Sequence, residues 1–359
     1  MYRETITDRS AWTGSDLEAD RSWCHELDDE DRAQLDRALT EVNRRGLTLA
    51  DIERGAFPLG PLEAKLAAIG AEIETGRGFA LLRGLDVDHY PLDDLEKVYW
   101  GLCSHLGTGV TQNSDASLIH YVTDGALRPN QGTRGVGNPA RASLHVDLAD
   151  CVSLLCVRQA PDNPPSWVAS STTVHNRFVA EHPACLPALY EGFEWDRLEE
   201  QGPAEAPTTG YRVPVFSERD GRVSCRYNRY WMTKAIQRTR DRLPDETWAL
   251  FNLFDELAHE VRLEVDVGPG DIQFVNNYTV LHGRDAHDVV DDEDRKRLLM
   301  RIWLDFDRPR PLADPAVVRY GIIRHGSLGW TAAQYRAGLH QGVHPRDAEG
   351  RPLVDAGAG

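Results

Sequence analysis

Residues 142–150 read Ala142-Ser-Leu-His145-Val-Asp147-Leu-Ala-Asp150. The pattern predicts a strand over Ser143–Asp147. Side chains two apart on a strand point to the same face, so His145 and Asp147 can present an imidazole and a carboxylate side by side toward one ion. These are two legs of a two-histidine, one-carboxylate site, a ligand set that leaves open positions on a non-heme Fe(II) for co-substrates and oxygen. The triplet alone is weak evidence, because a chain with 13 His and 57 acidic residues supplies His-x-acid triplets by chance, although this is the one present.

Two segments downstream add weight. Gly268-Pro-Gly-Asp-Ile-Gln-Phe-Val-Asn-Asn-Tyr-Thr-Val-Leu-His282-Gly-Arg284 reads as a turn and then an apolar strand that carries His282 at its far end, where a rim residue can reach an interior ion. Arg297-Leu-Leu-Met-Arg301-Ile-Trp-Leu304 has period two: Leu298, Met300, Ile302 and Leu304 form a wholly apolar face, and Arg297, Leu299, Arg301 and Trp303 form the other. Two guanidiniums on such a strand are costly to bury unless anions meet them. Beside a metal site, the natural reading is a pocket for carboxylates, which suit the planar fork of arginine.

The surrounding chain supplies the frame. Residues from about Asp28 to Arg77 read as helical, with Leu35, Leu39 and Val42 on one stripe, a stop at Gly46, and Leu62, Leu66, Ile69 and Ile73 on a second. An apolar run begins at Phe79, and a helix is expected from about Leu92 to Leu106. Beyond Ser117 strands dominate: Leu118–Val122, Val152–Val157, Trp167–Ser170, Arg212–Phe216, Arg222–Tyr227, Leu263–Val267, Ile272–Asn276 and Leu298–Asp305. Helices near Val174–Glu181 and Asp245–Glu260 interrupt them. This order predicts an α+β domain whose strands form a sandwich or barrel. Residues 1–77 are expected to be a helical layer packed on a core domain of residues 78–344, with 345–359 a disordered tail. The stretch from Gly202 to Tyr211 is where a mobile lid is expected.

Composition narrows the function classes. With 40 basic and 57 acidic residues the formal charge is −17, which repels phosphate backbones and anionic lipid headgroups and favours a small-molecule substrate. No run of 18 apolar residues occurs and the polar N-terminus lacks a signal-peptide centre, so a cytoplasmic enzyme is expected. Six scattered cysteines without zinc spacing read as reduced, buried residues.

The order His-x-Asp, distant His, then Arg inside an apolar strand resembles the Fe(II)/2-oxoglutarate oxygenases of the taurine dioxygenase and clavaminate synthase-like group. The resemblance spans roughly residues 78–306 and extends to Leu154-Leu-Cys-Val-Arg158, Pro214-Val-Phe-Ser217, Pro269-Gly-Asp-Ile-Gln-Phe274 and Leu281-His-Gly-Arg284. It implies a double-stranded β-helix (jelly-roll) core with flanking helices. It further implies His145, Asp147 and His282 as the catalytic iron ligands, Arg297 on the distal carboxylate of 2-oxoglutarate, and Arg301 near the substrate or supporting the co-substrate. Ser166 in Asn163-Pro-Pro-Ser166-Trp stands where the family commonly has a Gly-Gly-x-Thr/Ser hydroxyl, without the glycines. The cofactors implied are Fe(II), 2-oxoglutarate and O2, and the activity is hydroxylation of a small amino-acid-like or natural-product substrate with release of succinate and CO2. Desaturation, cyclisation or oxidative decarboxylation with the same cofactors, and non-catalytic binding of metal and 2-oxoglutarate, are the alternatives. The carboxylate at Asp147 disfavours halogenation. Asn113 and Arg226 are candidate substrate contacts, and the substrate is free or tethered to a carrier protein.

Overall fold

Caps and apolar stripes account for the first layer. The computed structural model describes residues 1–113, 115–124, 138–201, 206–240, 242–313 and 328–338. Its N-terminal part contains α1 (Gly14–Ala19), α2 (Asp29–Arg44) and α3 (Leu62–Thr75), followed by α4 (Leu92–Cys103). Asp28 starts α2 by accepting from the Asp31 N–H, while the Asp31 carboxylate accepts from the Asp28 N–H, so two orphan donors are satisfied reciprocally. Leu35, Leu39 and Val42 of α2 and Leu62, Leu66, Ile69 and Ile73 of α3 are buried, as their spacing predicts.

The strands are β1 (Cys24–Glu26), β2 (Phe79–Arg83), β3 (Thr108–Val110), β4 (His120–Val122), β5 (Ala142–His145), β6 (Cys151–Arg158), β7 (Ser166–Ser170), β8 (Phe216–Arg219), β9 (Arg222–Cys225), β10 (Leu263–Val265), β11 (Ile272–Asn276), β12 (Val280–Arg284) and β13 (Leu298–Asp305). The larger sheet runs β1-β2-β11-β6-β13-β3 with β4 also on β13, the smaller runs β10-β7-β12-β5, and β8-β9 is a hairpin. Helices α5 (Ser171–Glu181), α6 (Leu186–Glu191), α7 (Arg229–Gln237) and α8 (Asp245–Glu260) complete this mixed architecture.

The period-two reading of β13 holds in three dimensions. Leu298, Met300, Ile302 and Leu304 pack with the N-terminal helices in one apolar cluster. Leu299 and Trp303 belong to a second cluster, which joins both sheets with α5 and α8. The arginine-bearing face of β13 therefore looks into the space between the sheets.

Two departures from the sequence reading bear on the site. First, the apolar run expected to deliver His282 at the end of a strand is split in two: β11 ends at Asn276, the chain turns, and β12 begins at Val280 in the other sheet. The asparagine pair makes the switch. Asn276 donates to the Ile73 carbonyl and accepts from the Tyr278 N–H, while Asn277 donates to the Ala149 carbonyl and accepts from the Asp147 N–H. Second, the β5 ladder stops at His145, and the next two amides leave it: Val146 donates to the Tyr227 carbonyl and Asp147 to Asn277 Oδ1, both at 2.9 Å. Asp147 is thus held by a side chain of the turn rather than by strand pairing.

The expected strand at Arg212–Phe216 is also absent apart from its last residue, since Val213 forms an isolated bridge with Phe193 and Pro214 has no N–H to give a ladder. Residues 202–205 of the expected lid and all of 339–359, with the expected tail, lie outside the described residues. Among the described residues no helix is long and apolar enough to cross a membrane.

Candidate active site

The inner face of the smaller sheet presents the site. His282 on β12 is the direct cross-strand partner of His145 on β5 and of Val168 on β7, and Arg284 pairs with Ser166, so these side chains share one face. Gly283, between His282 and Arg284, lets β12 close on β5: a Cβ there would sit 2.6 Å from the Ala142 carbonyl oxygen. The imidazoles of His145 and His282 lie 4.5 Å apart between centroids, and His145, Asp147 and His282 offer one ligand atom each within 4.8 Å of one another.

The donor set suits a divalent transition metal. His145 Nδ1 is 2.7 Å from the Ser143 carbonyl; donating there leaves Nε2 as the lone-pair nitrogen, 3.9 Å from Asp147 Oδ1. Burial opposes ionisation of Asp147, but the Arg301 guanidinium beside it, then the two imidazoles and the Trp303 N–H, hold its carboxyl below the usual range. Burial, with help from His145 and Arg301, pushes His282 down to about 3. A carboxylate and a neutral imidazole are the protonation states that metal binding requires.

A cavity of about 640 Å³ opens over this triad, walled by both sheets and by the start of α7. Ser166, Arg284, Arg297 and Arg301 line it, as do Asn228, Arg229 and Tyr230. Arg297 is buried, donates from Nε to Gln159 Oε1 at 2.9 Å, and makes no ion pair among the described residues. Burial, reinforced by the positive charge of Arg284, pushes it down to about 10. Arg284 donates to the carbonyls of Asn138, Ala140 and Asp285 rather than to a carboxylate. Two desolvated guanidiniums that, among the described residues, meet only neutral acceptors form an anion receptor.

Of the other expected residues, Arg301 lines the cavity, and Asn113 and Arg226 are not among its lining residues. Arg301 meets the protein's own Asp147 Oδ2 at 3.2 Å. Asn113 does not line the cavity; its Oδ1 accepts from the N–H groups of Asp115 and Ser117, which fixes the local turn. Arg226 does not line it either: it donates to the Asp147 carbonyl at 3.2 Å and stacks on Tyr278 at 4.5 Å, so it supports the metal segment rather than a ligand. Asp150, three residues after Asp147, accepts from the Tyr278 hydroxyl and the Phe306 N–H. Sequence reasoning missed roles for Arg284 and Trp303. Trp303 alone carried a usable signal, its place two residues from Arg301 on the same face.

Residues 43–303 match the model of the taurine catabolism dioxygenase TauD, TfdA family. The chain is 30% identical over 317 residues to an FR-33289 synthase of Streptomyces rubellomurinus, covering 86% of this chain and 93% of the relative. It is 27% identical over 314 residues to a taurine hydroxylase-like protein of Stachybotrys chartarum, covering 84% and 80%. Among solved structures, an asparagine oxygenase in complex with Fe(II), 2S,3S-3-hydroxyasparagine and succinate has a TM-score of 0.61 at 15% identity over 79% of this chain and 93% of that one. The non-heme iron oxygenase OrfP in complex with Fe and alpha-ketoglutaric acid has a TM-score of 0.58 at 16% identity over 79% and 94%. At these identities the structural likeness is one of fold.

Proposed function

The chain belongs to the taurine catabolism dioxygenase TauD, TfdA family, and from that premise we propose that His145, Asp147 and His282 hold Fe(II), that Arg297 and Ser166 take the distal carboxylate of 2-oxoglutarate, and that the rest of the cavity seats a small anionic substrate. The enzyme is an Fe(II)- and 2-oxoglutarate-dependent oxygenase. The observation that carries the residue assignment is the triad within 4.8 Å beside a buried Arg297 that, among the described residues, meets only a neutral acceptor. When bound, the iron with 2-oxoglutarate and O2 supplies the oxidising chemistry: one oxygen atom enters a substrate C–H bond, and the other enters the succinate formed as CO2 leaves.

The chain's own work is positioning. Arg297 orients one end of the dicarboxylate, Ser166 donates a hydrogen bond from the facing strand, and the apolar wall of Leu144, Leu154 and Leu299 limits water at the reacting carbon. Among the described residues Arg141, Arg229, Arg284, Arg297 and Arg301 line the cavity with Asp147 as its lining carboxylate; Arg301 pairs with Asp147 and Arg229 with Asp255, so the cationic character comes from Arg141, Arg284 and Arg297. Locally cationic walls inside a −17 chain favour an anionic substrate. The fold relatives that bind hydroxyasparagine and L-Arg support an amino-acid-like or natural-product-derived one.

We read the two sheets as the halves of a double-stranded β-helix within residues 78–344 of a cytoplasmic protein, with 1–77 a helical layer on it. The packing of the α2 and α3 stripes against β13 supports that layering, while β1 from the same stretch adds an edge strand to the larger sheet.

The test is anaerobic addition of Fe(II) and 2-oxoglutarate to the full chain. A broad visible charge-transfer band that His145→Ala abolishes is expected, and its absence from the wild type overturns the assignment. Candidate amino acids that perturb the band identify the substrate class. Product mass after one turnover then separates hydroxylation, which adds one oxygen, from desaturation, which removes two hydrogens.

A further inference from the structure

Among the described residues Asp147 accepts hydrogen bonds through one oxygen. Its Oδ2 accepts from Trp303 Nε1 at 2.9 Å and from Arg301 Nη1 at 3.2 Å, while Oδ1 is the atom nearest His145. Arg301 and Trp303 sit two apart on β13 and so share the face that looks between the sheets, and the guanidinium lies 5.0 Å from the indole centroid. Both donors are buried, which strengthens hydrogen bonds to an ionised carboxylate.

Arg301 is itself aimed. Its Nε donates to Gln112 Oε1 at 2.9 Å. The Gln112 amide nitrogen donates to the carbonyls of Leu118 at 2.8 Å and Arg301 at 2.7 Å, which fixes its oxygen toward Arg301. A turn residue nearly two hundred positions away along the chain therefore sets the rotamer of the cation that meets the carboxylate.

We propose that Arg301 and Trp303 are positioning residues that confine Asp147 to a single-oxygen ligand, and that Gln112 sets Arg301 for that task. This rests on the metal-site reading above. A carboxylate with both oxygens free can chelate through both and occupy a position that a co-substrate needs. Engaging Oδ2 from the protein side leaves Oδ1 as the donor and limits rotation of the carboxylate plane. Arg301 thereby meets Asp147 through Nη1 while still lining the cavity, so its charge is shared between the carboxylate and the cavity wall.

The experiment uses the full chain without metal and Co(II) as the probe, reading affinity by calorimetry and ligand geometry by the visible d–d spectrum. Trp303→Phe removes the N–H and keeps a ring. Gln112→Leu reaches Asp147 only through Arg301 and decides the matter should the first variant fail to fold. Trp303→Phe is expected to weaken Co(II) binding about 10- to 100-fold and Gln112→Leu by a smaller factor, with the d–d spectrum changed in both and the metal-free variants still folded by circular dichroism at the assay temperature. Wild-type affinity in both variants, or weaker binding with an unchanged spectrum, overturns the proposal. A wild-type chain that takes up no more Co(II) than His145→Ala overturns the metal-site reading itself, and the two failures are thereby told apart.

Discussion

Replacing Arg297 by methionine should make the metal-free protein more stable while disabling it. A guanidinium pushed from the ordinary arginine value down to about 10 by burial and by Arg284 penalises the folded state by about 3 kcal/mol at neutral pH, at about 1.4 kcal/mol per tenfold change in the proton equilibrium. Burial disfavours the charged form, so the penalty is complete at any pH below about 10 and fades only above it. Arg297→Met removes that charge and keeps most of the stem. It loses one hydrogen bond to Gln159 Oε1, an atom that also accepts from the Ala160 N–H and is not left orphaned, at a cost of about 1 kcal/mol. The net expectation is a gain of about 2 kcal/mol in the free energy of unfolding of the metal-free chain, read by urea titration. Binding of 2-oxoglutarate should move the other way. Truncating one partner of a buried charged pair costs about 2–5 kcal/mol, hence upward of about 30-fold in Kd, measured calorimetrically on Co(II)-loaded protein. A variant that binds 2-oxoglutarate within about threefold of wild type would refute the role given to Arg297. A clear loss of stability would refute the claim that its charge is unmet in the ligand-free state.

Further outcomes follow from the same geometry. Ser166→Ala should raise the 2-oxoglutarate Kd by about 2- to 10-fold, the worth of one neutral hydrogen bond; no change would remove Ser166 from the co-substrate site. Asp147→Ala leaves Arg301 buried beside no carboxylate and should destabilise the metal-free chain by about 3 kcal/mol. Adding Arg301→Met should restore most of that loss, and urea titrations of the four members of the double-mutant cycle measure the coupling. His175, buried on α5 and pushed down to about 4 by desolvation, stays neutral in the folded chain while the unfolded chain takes a proton below about pH 6.5. Stability should therefore fall between pH 6.5 and 4 by up to about 1.4 kcal/mol per pH unit from this group. Denaturation at pH 7 and pH 4.5 should show a smaller drop in His175→Gln than in wild type.

Local signals were the legible ones. The stripes of α2 and α3, the apolar face of β13 and the bounds of β11 and α8 all came from contacts between residues a few positions apart, where period and turn chemistry speak directly. The site was legible as a set of residue types. The strand through His282 was misread because Val280 continues an apolar pattern that began at Ile272, and nothing in periodicity reveals that Asn276 and Asn277 spend their amides on Ile73, Ala149 and Asp147 to turn the chain into another sheet. Asn113 was placed at the substrate because polar residues before a strand suit a pocket as well as a turn, and here the turn took both of its acceptor contacts.

From sequence alone came the chemistry that had to be satisfied: a carboxylate and two imidazoles at metal-binding spacing, and two arginines on an apolar strand that demanded anions. Which anion each arginine meets was decided only by the fold. Arg297 faces the cavity with a neutral amide at its back, while Arg301, four residues along the same strand face, is satisfied by Asp147 at a sequence separation of 154. A guanidinium is equally competent with a ligand, a solvent molecule or a side chain of its own protein. Closing the sheets over one another selects among them, and that closure is a long-range event with no local trace in the sequence.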